Sequence, residues 1–462
     1  MATVYFLVEP ETETEAIKYR VKTAKYLGER SGIDAGVITN TKEQRRISSA
    51  LNVRGSHLQY HKKEFKTQSS IDQESKRIEH KYSVCIRRRI LAHLVQKENG
   101  LEKIDEYRKE FISLVGAYES TLKEKDIDAV FAGIGPFMAI SALDAVSKSF
   151  GTDTLHISAS KLEDGNSLIY DDWSLSFKSI VGWPQDTSKE KKNYTKKVVK
   201  KRIESGAMPD YVARLSLKND LRQYTAKAGN YISKLKNKPK KKLRRALSLI
   251  SDDVALSVTR QSSKLFYEEP NYKESFLFFP LHAPLDTQIL YRGEPYIQQE
   301  ALVKHIARNL PYGYKLYVKE HPNATGHYST SSLLKISKEK DVKLIPPHIN
   351  THQIIKEASV ILTINSTTGL EGVMHNCPVV TFGKPFYSGC ESVTSVRDTF
   401  DTHSRINYAL NLEVNTQENI NFLTKMREAT YKTDFFSDDY SSKKSEQLAS
   451  AMSAVLGQKL KE

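Results

Sequence analysis

Short apolar runs rich in β-branched and aromatic residues recur along the chain, each ending in polar or glycine-bearing residues. They fall at 3–8 (TVYFLV), 35–39 (AGVIT), 128–132 (DAVFA) and 154–158 (TLHIS), then at 275–279 (SFLFF), 316–318 (LYV), 342–345 (VKLI), 360–364 (VILTI) and 379–382 (VVTF). Runs of this kind are the pattern of strands buried on both faces, as in parallel sheets. Between them the apolar spacing shifts to the helical period. Over 14–30, Ile17, Val21, Ala24, Tyr26 and Leu27 fall roughly on one side. Helices are likewise predicted over 137–150, 296–310, 353–358 and 370–375, with helical patterns in the charged stretch 44–125. Strands alternating with helices predict an α/β fold.

At 462 residues the chain exceeds one ordinary core, so two α/β domains are expected. Trp183-Pro184 closes the first, giving 1–185 as an N-terminal Rossmann-like domain. A basic helical linker or insertion at 186–270 follows, broken by Gly206, Pro209 and Pro239. The second Rossmann-like domain is 271–440, and 441–462 makes a terminal helix.

The most informative unit is the strand 360–364, which breaks into Asn365-Ser366-Thr367-Thr368-Gly369 before the next helix. A helix start leaves free N–H groups which, with the helix dipole, favour an anion such as phosphate. Ser and Thr are equally favoured there as ordinary caps. Glu371, one turn into the helix, can accept hydrogen bonds from ribose hydroxyls or simply complement the dipole. Glu320-His321-Pro322 closes an earlier strand and sets an imidazole at its carboxyl end, where open α/β sheets bind ligands. A structural turn is the alternative there. Gly133-Ile-Gly135 offers close backbone approach to a ligand but is too short for a dinucleotide fingerprint. After the strand 154–158 come Glu163, Asp164, Asp171 and Asp172, any of which can serve as a base in group transfer. Glu-Asp-Gly-Asn is also strong turn chemistry.

The series KEHP (319–322), INSTTGLEG (364–372) and PVVTFGKPFY (378–387) resembles the capsular polysaccharide biosynthesis family, which includes bacterial sugar transferases that use CMP-Kdo. The resemblance implies a GT-B glycosyltransferase: two Rossmann-like domains facing a cleft, with the acceptor on the first and the nucleotide-sugar on the second. It implies no metal and no bound cofactor, the nucleotide-sugar being a co-substrate. His321, Ser366 and Thr367 would hold the donor phosphate and Glu371 would face the ribose, with Asn365, Thr368 and Gly369 completing that turn. In the acidic segment Glu163, Gly165 and Asp171 match the family's acid, glycine and later aspartate. The catalytic set is therefore Glu163, Asp164, Asp171 and His321. Asp286 and Gln288 fit the family's polar loop after the strand that ends near His282. His348, Asn350 and His352 occupy the loop that packs near the base in GT-B enzymes, with helix capping as their ordinary role. A more distant likeness links the pattern to bacterial sialyltransferases, teichoic-acid polymerases that use CDP-glycerol and UDP-N-acetylglucosamine 2-epimerases. A CMP-sugar donor is the first expectation, with CDP-glycerol-type polyol-phosphate transfer, or a non-enzymatic polyanion- or nucleic-acid-binding protein, as the alternatives.

Charge adds one feature. The formal excess is +15, and residues 189–202 (net +7) and 234–245 (net +8) account for all of it. The basicity thus belongs to one region, suited to an anionic membrane surface or a polyanionic acceptor, or else to a solvated linker. Tyr194 is the single aromatic in the two runs, which speaks against specific nucleic-acid binding. Arg87-Arg88-Arg89 reads as a solvated helix face or a phosphate contact. Cys85, Cys377 and Cys390 are too few and scattered for a disulfide framework or zinc site. No stretch of 18 apolar residues occurs and the first residues lack the form of a signal peptide, so a cytoplasmic protein, peripheral on the inner membrane face, is expected.

Overall fold

The structure, a computed structural model, describes residues 2–9, 14–57, 67–96, 103–135, 137–205, 259–284, 286–433, 435 and 439–459. The chain divides into two compact units. One comprises Met1–Thr195, Leu290–Arg292 and Asn421–Glu462; the other comprises Lys196–Ile289 and Gly293–Ile420.

Each unit is built on a six-stranded sheet. The first holds β1 (Thr3–Leu7), β2 (Asp34–Thr39), β3 (Gly55–His57), β4 (Ala129–Gly133), β5 (Asp153–Ala159) and β6 (Ser167–Tyr170) in the order β3-β2-β1-β4-β5-β6. It is parallel except for β6, which runs against β5. The second holds β7 (Phe276–Pro280), β8 (Lys315–Lys319), β9 (Val342–Ile345), β10 (Val360–Thr363), β11 (Val379–Thr381) and β12 (Val393–Ser395) in the order β12-β11-β10-β7-β8-β9, all parallel. Counted from its own first strand, each sheet reads 3-2-1-4-5-6. This doubly wound order reverses direction between the first and fourth strands, and ligands bind at that switch point, outside the carboxyl ends. The pair of Rossmann-like units agrees with the apolar patterning.

The core strands are buried because both faces are covered. Phe6, Phe131 and Ile157 fill one face of the first sheet, and Leu277, Phe279, Val318 and Leu362 do so in the second. Patterning missed β3, β6 and β12, which have three, four and three residues, too few for a periodic signal. The terminal helix Ser442–Lys459 packs on the first helix, Thr14–Ser31, sharing a core in which Leu448, Met452 and Val455 meet Val21 and Leu27. Arg89 pairs with Asp144 at 2.7 Å, while Arg87 and Arg88 lie on an exposed face. Cys377 is buried and behaves as a small hydrophobe. The basic residues 189–202 lie in the helix Lys189–Ser205; the run 234–245 lies outside the described residues. Among the described residues no helix is long and apolar enough to cross a membrane.

Because Leu448 is fully buried, Leu448→Ala should destabilise the first unit by about 2–5 kcal/mol, combining transfer and cavity costs. Denaturant unfolding followed by hydrogen exchange in Thr14–Ser31 checks this; unaltered protection there would mean the terminal helix is not part of that core.

Candidate functional site

Both switch points are bridged in the same way. In the first unit the chain leaves β1 through Val8 and Glu9, and Glu9 Oε1 accepts the Gly133 N–H at 3.0 Å across from β4. Arg20 pairs with the same carboxylate and lies 5.1 Å over the ring of Phe435, which packs on Phe6. A Cβ at Gly133 would stand 2.8 Å from Glu9 and 2.9 Å from Phe435. The room that the Gly133-Ile-Gly135 turn was expected to offer a ligand is therefore taken by this chain's own side chains.

In the second unit the bridge is His282, two residues past β7. Its Nε2 accepts the Asn365 N–H at 3.3 Å, so the ring proton resides on Nδ1, 3.9 Å from Asp286 Oδ2. Gln299 holds the His282 backbone at both N–H and C=O, and Tyr328 Oη donates to that carbonyl at 2.8 Å. Burial pushes the Asp286 carboxyl up, but the neighbouring His282 outweighs it and the net direction is down. The polar loop expected around Asp286 and Gln288 is thus present, and the Gln288 N–H closes on Asp286 Oδ1.

Next to β7 in the sheet, β8 ends in Lys319-Glu320-His321. Glu320 is buried, accepts from Tyr267 Oη and is pushed up by desolvation. His321 is pushed down by burial, with Asp286 opposing and His282 and Lys319 adding to the effect. On the other side of β7, β10 leads into the helix Thr367–Met374. The carboxyl ends carrying Ser366, His282 and His321 are therefore neighbours, about 4.8 Å from strand to strand.

The helix begins three residues earlier than its apolar pattern suggested, so Thr367, Thr368 and Gly369 form its first turn. Ser366 is the N-cap and accepts from the Thr368 N–H at 3.2 Å. The Asn365, Ser366 and Gly369 N–H groups are also engaged, on His282, Thr363 and Ser366 respectively. The expected set of free donors is corrected to a smaller one: among the described residues the Thr367 N–H and hydroxyl have no partner. Gly369 is required by Tyr387, whose Oη would stand 2.2 Å from a Cβ there, and Gly383 by Asn365, at 2.1 Å. Asn365 and Gly369 thus shape the turn through packing.

Glu371 lies one turn into this helix. Burial pushes its carboxyl up to about 7, with Arg202 and Lys319 opposing. Lys319 is only 3% exposed and donates to Thr351 Oγ1 at 2.7 Å; desolvation pushes it down to about 8 while Glu371 opposes. His352 Nδ1 and His375 Nε2 stand 3.0 Å apart, and burial, His375, Arg202 and Lys319 hold His352 down at about 4. Asn350 is a helix cap, accepting the His352 N–H at 2.8 Å. A groove of about 530 Å³ lined by Tyr296, Ile297, Leu302 and Phe382 shares no residue with this cluster. Sequence reasoning missed Lys319, Arg202 and His375. The one available signal was Lys319 at the end of an apolar strand.

The acids of the first unit lie in and beside the turn after β5. Glu163 faces Arg427 at 3.7 Å and accepts from Tyr194, and Asp171 pairs with Lys459 at 2.6 Å. Asp172 pairs with Lys148 at 3.2 Å. Asp164 is exposed beside Gly165, whose φ is +77°.

The Glu371 carboxyl sets a pH dependence. Its folded-state pKa, about 7, lies above the ordinary 4.5, so the folded chain holds the proton more tightly than the unfolded chain. The stability it contributes is full below about 4.5 and is lost as pH rises through 7. Glu371→Gln removes this titration, so its melting temperature should gain on the wild type between pH 5 and pH 8. An equal offset at both pH values would place the carboxylate in a solvated setting.

The family model for capsule polysaccharide biosynthesis protein matches residues 184–404, which take in all six strands of the second sheet. Over 160 residues the chain is 28% identical to Protein FixF of Sinorhizobium fredii (strain NBRC 101917 / NGR234), covering 34% of this chain. The chain spans 37% of that relative's length. Among solved structures, the Thermosulfurimonas dismutans KpsC, beta Kdo 2,7 transferase, is similar at 14% identity over 67% of this chain and 80% of that one, with a TM-score of 0.33. The UDP-GlcNAc 2-epimerase from Methanocaldococcus jannaschii is similar at 13% identity over 92% of this chain and 98% of that one, with a TM-score of 0.27. The likeness to the capsule polysaccharide biosynthesis protein family is thus carried by residues 184–404, a little under half of the chain.

Proposed function

We propose that this protein is a glycosyltransferase that moves a sugar from a nucleotide-sugar donor, a CMP-sugar first, to a surface or capsular glycan or glycolipid acceptor. The observation that carries the reading is the second switch point, where the His282–Asn365 bridge ties the start of Thr367–Met374 to the end of β7, with the end of β8 next in the sheet. The match of residues 184–404 to a capsule polysaccharide biosynthesis family supports the substrate class.

In such a transfer the acceptor oxygen bonds to the anomeric carbon while the bond from that carbon to the donor phosphate breaks, and the nucleotide leaves with the bonding pair. Negative charge grows on the phosphate. The Thr367 N–H and hydroxyl, the dipole of the helix that Ser366 caps, and His321 stabilise it. Burial favours a neutral His321 imidazole before the donor arrives, and a phosphate beside it favours the imidazolium. The acceptor's proton goes to a carboxylate. Glu163, Asp164 and Asp171, in and beside the turn after β5, are the candidates for it, Glu163 lying by Arg427 and Asp171 by Lys459. The scheme requires no metal. On the helix Lys189–Ser205 the side chains of Lys189, Lys196, Lys197, Lys200 and Lys201 are exposed, and the inner membrane face is their proposed partner, at about 1 kcal/mol per cation near the surface.

A thermal-shift panel of CMP, CDP, UDP, GDP and CDP-glycerol tests the donor class, since a ligand of the folded state raises the melting temperature. Selective stabilisation by CMP is expected; a response confined to CDP-glycerol would favour polyol-phosphate transfer instead. His321→Ala should lower transfer roughly 10²-fold and Ser366→Ala at least about tenfold, with folding intact. Wild-type rates in both would remove the phosphate-site assignment. Replacing Lys189, Lys196, Lys197, Lys200 and Lys201 together by Gln should abolish sedimentation with phosphatidylglycerol vesicles at low salt, and unchanged sedimentation would dismiss the membrane surface.

A further inference from the structure

At the start of Thr367–Met374 the Thr367 N–H has no partner among the described residues, and its aim is set by the other end of the same peptide group. A trans peptide is planar, with its C=O and N–H pointing in opposite directions. The oxygen of this one belongs to Ser366. It accepts the Gly369 N–H at 3.1 Å, an ordinary bond of a helix start, and also the Tyr387 hydroxyl at 2.5 Å. Both lone pairs are then used, so the peptide cannot turn without breaking two hydrogen bonds. The Thr367 N–H is thereby held pointing out of the helix start, along the dipole.

Tyr387 comes from the loop after β11 and is fully buried. Its backbone is fixed by a turn in which the Ser388 N–H returns to the Pro385 carbonyl at 3.0 Å and the Cys390 N–H to the Tyr387 carbonyl at 3.2 Å. The hydroxyl reaches the Ser366 carbonyl because residue 369 has no side chain: a Cβ there would stand 2.2 Å from Oη. Glycine inside a helix costs about 0.5–1 kcal/mol relative to alanine, and the chain places one where this contact is made. Burial pushes the phenol well up, so the hydroxyl stays a donor. A donor on the carbonyl oxygen also polarises the peptide and strengthens its N–H in turn. Beside the turn, Asn365 Oδ1 is buried and has no partner among the described residues, which leaves an acceptor there for a ligand's donor.

We propose that Tyr387 is a positioning residue of the phosphate turn: its hydroxyl pins the Ser366–Thr367 peptide, so that the Thr367 N–H meets the donor phosphate already aimed and polarised. This rests on the nucleotide-sugar reading of the site. Tyr387 acts through the peptide and not by touching the nucleotide, and Gly369 gives it access.

The test is calorimetric titration with whichever nucleotide of the panel binds and with its nucleoside, which lacks the phosphate; for CMP this is cytidine. The ratio of nucleoside to nucleotide dissociation constants reads the phosphate contacts. Tyr387→Phe keeps the ring and removes the hydroxyl. It should lower that ratio about five- to tenfold through weaker nucleotide binding, as expected when a hydrogen bond to a charged group is loosened, and leave the nucleoside within about twofold of the wild type. Gly369→Ala, which displaces the hydroxyl without removing it, should lower the ratio in the same way, and serves if Tyr387→Phe does not fold. An undiminished ratio in both variants overturns the proposal, as does an equal loss of nucleotide and nucleoside binding, which would make Tyr387 a packing residue only. Failure of the wild type to bind any nucleotide overturns the underlying reading instead, so the two failures are told apart.

Discussion

The second unit depends on one hydrogen bond, from the Asn365 N–H to His282 Nε2. A backbone N–H at the buried end of a central strand has to be satisfied, and leaving it without a partner costs on the order of 1–3 kcal/mol. At this position the next strand has already diverged, because the sheet reverses direction there, so a side chain must supply the acceptor. The bond also fixes the angle at which the chain leaves β10, and hence the direction of Thr367–Met374. Four contacts hold His282 itself: two from Gln299, one from Tyr328 and the approach of Asp286. The first unit solves the same problem with Glu9 and Gly133. There, however, Phe435 and Arg20 close over the junction, and close packing takes the place that a ligand would need.

Charge is concentrated at the second junction at a cost. Lys319 and Glu371 are both desolvated toward their neutral forms, and the His352–His375 pair shares its surroundings with the cations Lys319 and Arg202. Structural ion pairs are ordinarily closed, as Arg89–Asp144 is in the first unit. A cluster whose opposite charges remain apart is the signature of groups arranged for something other than their own mutual stabilisation. The acids in and beside the turn after β5 show the contrary arrangement: Glu163 and Asp171 are held by cations from the C-terminal segment.

Much of this was legible from sequence because parallel strands buried on both faces write themselves as continuous apolar runs. The strands around 3–8, 128–132, 316–318 and 360–364 needed no tertiary information. The Ser366 cap and the strand-end position of His321 were readable for the same local reason. Pairing across long separations was not. His282 reaches Asn365 across 83 residues, and no spacing rule connects them. Lys319 looked like one more lysine in a basic chain, and only the sheet order, which puts β8 beside β7, brings its strand end to the switch point. The glycines misled in an instructive way: Gly133 and Gly369 do permit close approach, but to Phe435 and Tyr387 rather than to a ligand. The helix start was also more self-sufficient than a sequence can show, since its donors are spent on Thr363, Ser366 and His282.

On the proposed function, the junction between β7 and β10, and not the one between β1 and β4, receives the nucleotide. Hydrogen exchange on the intact chain, with and without saturating CMP, reads this directly because each junction has its own backbone amides. Slowed exchange at 365–371 and 319–321, with 8–9 and 133–135 unchanged, is the result predicted. Protection confined to 8–9 and 133–135 would contradict it and move the donor site to the first unit.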